Sequence, residues 1–361
     1  MSKKKIFTGL ILLLNIFNLL VLFSALHGPE GDFIASVLIK QTVWICAGWI
    51  LALIISKINY RIFYDAAYPS YFVIVLFLIC VLILGRTQMG AQRWIEFLGI
   101  TFQPSEIAKI IAMLIIARTF ANLSHTIGYR DKGFFEEIIA PFLPASVIFI
   151  LIFLQPDLGT SLVIVFMYAI MLFANAPRGR NIIIAIVCAF SVIPAGWLVM
   201  KPYQKGRVLT FLNPDRDPLG SGYTVIQSKI AIGSGKFLGK GYLAGTQNKF
   251  SFVPANHTDF IFAVFAEEWG FLGCVVLMLI FYFLLKMILD SSARAGEPFA
   301  ANMCIGIFSL FFIHIFVNLA MTMGMLPVVG LPLLFFSYGG SYMLLNFVLV
   351  GVYLNILSNE R

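Results

Sequence analysis

The stretch Lys3-Lys4-Lys5-Ile6-Phe7-Thr8-Gly9-Leu10-Ile11-Leu12-Leu13-Leu14-Asn15-Ile16-Phe17-Asn18-Leu19-Leu20-Val21-Leu22-Phe23-Ser24-Ala25-Leu26 decides the fold class. Three lysines precede an uncharged run of about 20 residues, the length a helix needs to cross hydrocarbon. The basic start is that of a signal peptide, but no small-residue cleavage site is clear and further spans follow, so it reads as a retained helix. Comparable runs lie near 7–26, 36–56, 68–85, 104–121, 138–154, 158–175, 181–200, 259–286, 299–325 and 332–355. Only Gln155-Pro156-Asp157 separates the fifth from the sixth.

Composition agrees. Of 361 residues, 60% are hydrophobic and 12% charged, against roughly 45–50% and 25% in soluble domains. Mean hydropathy is +0.93. A soluble globular domain could not cover such a surface, and disorder needs the opposite balance. The expected fold is all-α: a polytopic membrane protein of about ten transmembrane helices. Residues 1–361 form one integral membrane domain, and 202–258 form a long loop between the seventh and eighth spans.

The net charge of +8 does not point to nucleic acid, because its placement is that of a membrane protein. Lys3, Lys4 and Lys5, then Lys57 and Arg61, Arg130 and Lys132, Arg178 and Arg180, and Arg294 fall on one side when ten spans are counted. The positive-inside rule makes that side cytoplasmic, with both termini there and the 202–258 loop outside. Cys46, Cys80, Cys188, Cys274 and Cys304 all sit in apolar runs, odd in number and without metal-pair spacing. They read as buried hydrophobes rather than disulfides or zinc ligands.

Ionisable groups near hydrocarbon are costly and mark function by default. Glu106 and Lys109 in Gln103-Pro104-Ser105-Glu106-Ile107-Ala108-Lys109 stand at i, i+3 on one helix face. Their plainer reading is an internal ion pair. Asp157 opens the sixth span and Asp259 the eighth, after His257-Thr258. Each alone is a first-turn acid favoured by the helix dipole. Three such acids at one depth, beside a Gly- and Lys-rich loop, suggest a shared outer cleft. Glu267 is about 80° around the helix from Asp259 at ~100° per residue, placing it on the cavity side. Glu268 faces away and suits a partner helix, and His314 reads as an interhelical hydrogen-bonding residue.

Within the loop, Gln227-Ser228-Lys229-Ile230-Ala231-Ile232-Gly233-Ser234-Gly235 and Gly239-Lys240-Gly241 mix glycines with cations. Such segments can bring backbone N–H groups against phosphate oxygens. They do not match a P-loop, and a solvated loop accounts for them equally.

Several of these motifs together resemble the shape, elongation, division and sporulation (SEDS) family. They are Gly90-Ala91-Gln92-Arg93-Trp94-Ile95, Gln103-Pro104-Ser105-Glu106 with Lys109, Gln155-Pro156-Asp157-Leu158-Gly159-Thr160, and Ala231-Ile232-Gly233-Ser234-Gly235. His257-Thr258-Asp259-Phe260-Ile261-Phe262-Ala263 with Glu267-Glu268, and Ser337-Tyr338-Gly339-Gly340-Ser341, complete the order. Gly245-Thr246-Gln247 is closer to the rod-shape branch than to the division branch. Two departures stand out: Val253-Pro254-Ala255 replaces the family's frequent Leu-Pro-Glu, and Leu333-Leu334-Phe335-Phe336 replaces Leu-Pro-Phe-Val.

The resemblance implies an inverting peptidoglycan glycosyltransferase. It would polymerise lipid II, a polyprenyl-pyrophosphate-linked disaccharide-pentapeptide, outside the cytoplasmic membrane during elongation. The partners implied are a class B penicillin-binding protein, the elongation machinery and membrane lipids. The family's essential acid maps to Asp259. A carboxylate there can deprotonate the attacking hydroxyl, and Arg207, Lys109 and Arg93, or a divalent cation (Mg or Mn), can stabilise the departing pyrophosphate. The further substrate-binding set is Glu106, Asp157, Gln227, Ser228, Lys229, Lys240, Glu267 and Ser337. A lipid flippase and a non-catalytic cell-wall scaffold remain the alternatives, the first because apolar helices with intramembrane acids also describe transporters.

Overall fold

A computed structural model describes residues 3–27, 31–88, 91–97, 100–124, 133–175, 179, 181, 183, 196–198, 200–217, 220–246, 254 and 256–359. The helices in chain order are α1 (Lys3–Leu26), α2 (Gly31–Ser56), α3 (Arg61–Leu84), α4 (Pro104–Ser124), α5 (Ala140–Leu154) and α6 (Leu158–Ala174). They continue with α7 (Pro202–Leu212), α8 (Ser221–Ser234), α9 (Ile261–Arg294), α10 (Pro298–Thr322) and α11 (Gly340–Asn359). Seven helices among the described residues are long and apolar enough to cross a membrane. The expected span at 181–200 lies largely outside the described residues.

The helices are apolar on both faces, as lipid demands. In α1, Phe7, Ile11, Leu14, Val21 and Leu22 are buried, while Leu12, Ile16 and Leu20 on the other face are exposed. A helix hydrophobic all round is a buried or membrane helix. The chain is a multi-pass membrane protein.

Two compact units divide the chain. The first comprises residues 1–55, 206–287 and 314–354. Its core packs aromatic rings at an angle, with Phe7 tilted against Tyr353 at 4.5 Å and Phe335 edge-on to Phe347 at 5.3 Å between centroids. The second comprises residues 56–205, 288–313 and 355–361. There the Arg118 guanidinium sits 4.2 Å from the Tyr64 ring centroid and 4.4 Å from that of Tyr68. Such cation–π contacts, with a bond from Arg118 to the Tyr64 carbonyl at 2.6 Å, let a cation lie against apolar helices.

Three local features differ from the sequence expectation. A three-stranded antiparallel meander, β1 (Arg86–Gln88), β2 (Ala91–Phe97) and β3 (Ile100–Phe102), precedes α4. Its register pairs Gln88 with Ala91 and Phe97 with Ile100. The 202–258 segment contains α7 and α8 rather than being loop throughout. The last helix starts at Gly340, not near 332, because residues 331–336 are a largely buried non-helical segment that turns at 334–336. Hydropathy alone cannot separate that case from a span.

Candidate active site

In the first unit, the turn 256–260 and the non-helical segment 330–339 are joined by hydrogen bonds. Ser337 donates its hydroxyl to the Thr258 carbonyl at 2.6 Å and accepts from Leu333 N at 2.8 Å. Tyr338 N donates to the His257 carbonyl at 3.0 Å. Asn318 Nδ2, from α10, donates to the carbonyls of Asp259 and Leu331, each at 2.8 Å. Asn18 donates to the Phe336 carbonyl and accepts from Gln41 at 3.1 Å. The orphan backbone groups of two irregular segments are thus met by polar side chains that helices carry into the core. Phe335 takes φ +53, a left-handed conformation that costs a non-glycine residue energy and is held here by burial.

This scaffold fixes Asp259 just ahead of α9. The residue is half-buried, and a methyl group on Gly330 would lie 3.6 Å from its Oδ2. Burial pushes its carboxyl up to about 6, while the charge of Arg207 pulls it down. Burial also pushes the neighbouring His257 down, favouring the neutral imidazole. A small cleft between α7, α8 and residues 324–328 is lined by Arg207 and Lys229. One acid poised near neutral pH and two cations therefore share this unit.

Other predicted residues have structural partners. Glu267 is fully buried and accepts from Lys240 Nζ at 2.6 Å, Thr246 N at 2.9 Å and Thr246 Oγ1 at 3.1 Å. Lys240 is therefore an ion-pair partner, and Glu267 faces residues 240–246. Ser228 is buried and donates to the Thr322 carbonyl at 2.7 Å. Gln227 is half-buried on α8. As expected, Glu268 meets another helix through the Ser24 hydroxyl; His314 Nδ1 lies 3.3 Å from the Pro332 carbonyl, in the non-helical segment rather than on a neighbouring helix.

The break in α9 explains this arrangement. Gly270 has φ 62 and ψ −164 inside the helix, a region open essentially to glycine alone. Phe271 N and Leu272 N turn instead to the carbonyls of Lys236 and Phe237, at 2.9 and 3.1 Å. The Glu267 and Glu268 carbonyls, left without those donors, accept from Lys240 N and Gly241 N at 3.0 Å each. Residues 236–241 are spliced into the helix, and both of these interrupted bonds are replaced.

The second unit holds its own polar cluster. Asp157 caps α6, accepting from Thr160 N at 3.2 Å and Thr160 Oγ1 at 2.9 Å, and from Gln103 Nε2 at 2.9 Å and Ser105 Oγ at 3.3 Å. Lys109 Nζ lies 2.9 Å from Glu106 Oε1, both largely buried. The Arg93 side chain, Gln247 and Ala255 lie outside the described residues. Among the described residues no three His, Cys, Asp or Glu side chains converge as a metal site.

Sequence reasoning missed Asn318, Asn18 and Gln41 as builders of the site. Their signal was available, since each is an amide inside an apolar run, where an unsatisfied polar group is expensive.

The profile of the FtsW/RodA/SpoVE cell cycle proteins matches residues 4–361. The chain is 36% identical over 353 residues to the peptidoglycan glycosyltransferase MrdB of Escherichia coli K12, covering 98% of this chain and 92% of that one. It is 30% identical over 427 residues to the peptidoglycan glycosyltransferase RodA of Treponema pallidum, covering 97% and 96%. Among solved structures, a chain from work on the structural coordination of polymerization and crosslinking by a peptidoglycan synthase complex aligns with TM-score 0.82 and 30% identity, covering 98% and 97%. A mutant of the rod shape determining protein RodA of Thermus thermophilus aligns with TM-score 0.72 and 25% identity, covering 98% and 97%.

Proposed function

This chain belongs to the FtsW/RodA/SpoVE family of cell cycle proteins, and we propose that it polymerises lipid II with Asp259 as the general base. It is a peptidoglycan glycosyltransferase. One observation carries the assignment of Asp259: a half-buried carboxyl raised to about 6 beside Arg207, held by a hydrogen-bonded junction of two irregular segments. A base with a pKa near the working pH is the efficient choice.

In the proposed reaction, Asp259 takes the proton of the acceptor sugar hydroxyl. That oxygen attacks the anomeric carbon of the donor from the face opposite its pyrophosphate. The carbon–oxygen bond to pyrophosphate breaks, its electron pair leaves with the phosphate, and configuration inverts. Arg207 and Lys229 supply the positive charge the leaving group needs. Glu267, Lys240, Ser228 and Ser337 act as positioning residues, since their polar atoms bind protein groups. The substrate roles of Arg93, Gln227, Glu106, Lys109 and Asp157 rest on the motifs alone.

The reading further places both termini in the cytoplasm, the Asp259 junction at the outer face, and a class B penicillin-binding protein of the elongation machinery as partner. The similarity to a chain of a peptidoglycan synthase complex supports the partnership. Incubating the purified chain with lipid II tests the reaction. Glycan polymer is the expected product; its absence, with and without the partner, would overturn the proposal.

A further inference from the structure

His257 stands two residues before Asp259, so their Cα atoms lie within ~7 Å of each other whatever the turn, at ~3.3–3.6 Å per residue. Nothing in the reaction so far uses its imidazole. The neighbouring hydrogen bonds settle where its proton sits. Asn256 Nδ2 donates to the Ala25 carbonyl at 3.0 Å, in the last turn of α1, where carbonyls have no helical donor. That bond fixes the amide, because a flipped Asn256 would set its own oxygen against the Ala25 oxygen with no proton between them. Asn256 Oδ1 therefore faces His257 Nδ1, at 3.2 Å, and an amide oxygen only accepts. Nδ1 must carry the hydrogen. A neutral imidazole has a single N–H, and burial favours the neutral ring, so Nε2 holds a bare lone pair.

This lone pair is not spent inside the protein. Nε2 has no hydrogen-bond partner among the described residues, and it is not among the buried orphan atoms of the core. The His257 side chain is half-buried, with Tyr338 opposite. The two ring centroids are 6.0 Å apart at 57°, and Tyr338 N donates to the His257 carbonyl at 3.0 Å. Tyr338 is half-buried too, and its hydroxyl has no partner among the described residues. An accepting nitrogen and a phenol thus stand together next to the proposed base. Sugar hydroxyls suit this pair, since each can donate to the nitrogen and accept from the phenol. A pyrophosphate diester has no proton to give a bare nitrogen, so the leaving group belongs with Arg207 and Lys229.

We propose that His257 Nε2 accepts a hydrogen bond from a hydroxyl of the acceptor sugar, other than the attacking one, and forms with Tyr338 the subsite that holds this ring against Asp259. The role rests on the polymerisation reaction proposed above. Asn256 is its positioning residue, tying the imidazole to the end of α1.

Two substitutions separate this role from a structural one, because each keeps a different ring nitrogen. His257→Asn sets an amide N–H where Nδ1–H was and removes the Nε2 acceptor. His257→Gln reaches the Nε2 position with an accepting oxygen and gives up the bond to Asn256. In steady-state polymerisation of lipid II, His257→Asn should raise KM about three- to tenfold, the loss of one neutral hydrogen bond, with kcat changed less. His257→Gln should recover most of that loss. A residue that only ties Asn256 in place predicts the opposite order, and that order would overturn the proposal. So would a fall in kcat of roughly 10²-fold in the Asn variant, which would make His257 itself the base. A further measurement needs no variant. Asn256-His257 is the only Asn–His step in the sequence, so carbonyl-labelled asparagine with fully labelled histidine singles out this ring by NMR in detergent. At neutral pH its nitrogens should show Nδ1 protonated and Nε2 bare; the proton on Nε2 would refute the assignment. No polymer from the native chain would remove the reaction and this role with it, whereas an active native chain whose KM is unmoved in the Asn variant would remove this role alone.

Discussion

Lys240 and Glu267 are joined twice: the Lys240 ammonium lies 2.6 Å from the Glu267 carboxylate, and the Lys240 amide donates to the Glu267 carbonyl at 3.0 Å. One residue thus meets both the charge and the broken helix bond of the other. The pair is asymmetric, the lysine side chain being 28% exposed and the glutamate 1%. Lys240 can recover solvation when separated, but Glu267 cannot.

Truncating the lysine should therefore cost more than neutralising both partners. Lys240→Met leaves a buried carboxylate with only neutral donors and is expected to lower stability by about 1–3 kcal/mol. Lys240→Met with Glu267→Gln should regain part of that loss, because Thr246 can still donate to the amide oxygen. A double-mutant cycle of thermal unfolding in detergent measures the coupling. Purely additive losses would show that the ion pair is energetically idle.

Gly270→Ala should be among the most damaging single-methyl additions in the chain. The conformation at Gly270 is essentially closed to other residues, and the added Cβ would run into the Gly239 amide nitrogen. A loss of at least about 1–3 kcal/mol is expected from backbone strain alone. Gly9→Ala, with open space around it, is the control and should be neutral or slightly stabilising in a helix. Equal melting temperatures for the two variants would remove the splice as a constraint.

How much of this was written locally in the chain can be seen residue by residue. Apolar runs long enough to span a membrane located nine of the helices, because lipid imposes length and composition together. The i, i+3 pairing of Glu106 with Lys109 and the helix-opening position of Asp157 were equally legible, being local geometry. The break at Gly270 was not, since its replacement donors at 240–241 come from a separate segment. For the same reason Ser337 and Lys240 read as substrate-binding residues, although folding brings protein atoms within hydrogen-bond reach of both. Residues 332–336 read as membrane span because burial in protein and burial in lipid select the same residues.

The pH dependence of polymerisation should expose the Asp259 and Arg207 pairing. Asp259 must be ionised to accept a proton, so the rate should rise as pH increases through about 6 and level off above it. Arg207 favours the ionised form, so Arg207→Gln should move the rising limb to higher pH, while Arg207→Lys should largely preserve it. Rates of the three proteins over one pH series decide this. An unshifted limb in the Gln variant would separate Arg207 from the carboxyl.

Asp259→Asn should uncouple stability from activity, in opposite directions. A carboxyl raised to about 6 in the folded protein and near 3.9 when unfolded holds its proton more tightly when folded. Its ionisation therefore erodes stability as pH rises from about 4 to about 6, and the deficit persists at neutral pH. Asparagine has no charge to desolvate, so the variant should melt at an equal or higher temperature than the native chain near pH 7. Its backbone carbonyl remains available to Asn318, so the junction with residues 330–339 should hold. The general base, however, is gone, and polymerisation of lipid II should fall by roughly 10²-fold or more. A merely structural acid predicts the reverse: lower stability with near-normal turnover per folded molecule. Thermal unfolding and glycan polymer yield on the same preparation separate the two readings, and a stable variant that still polymerises at the native rate would end the role assigned to Asp259.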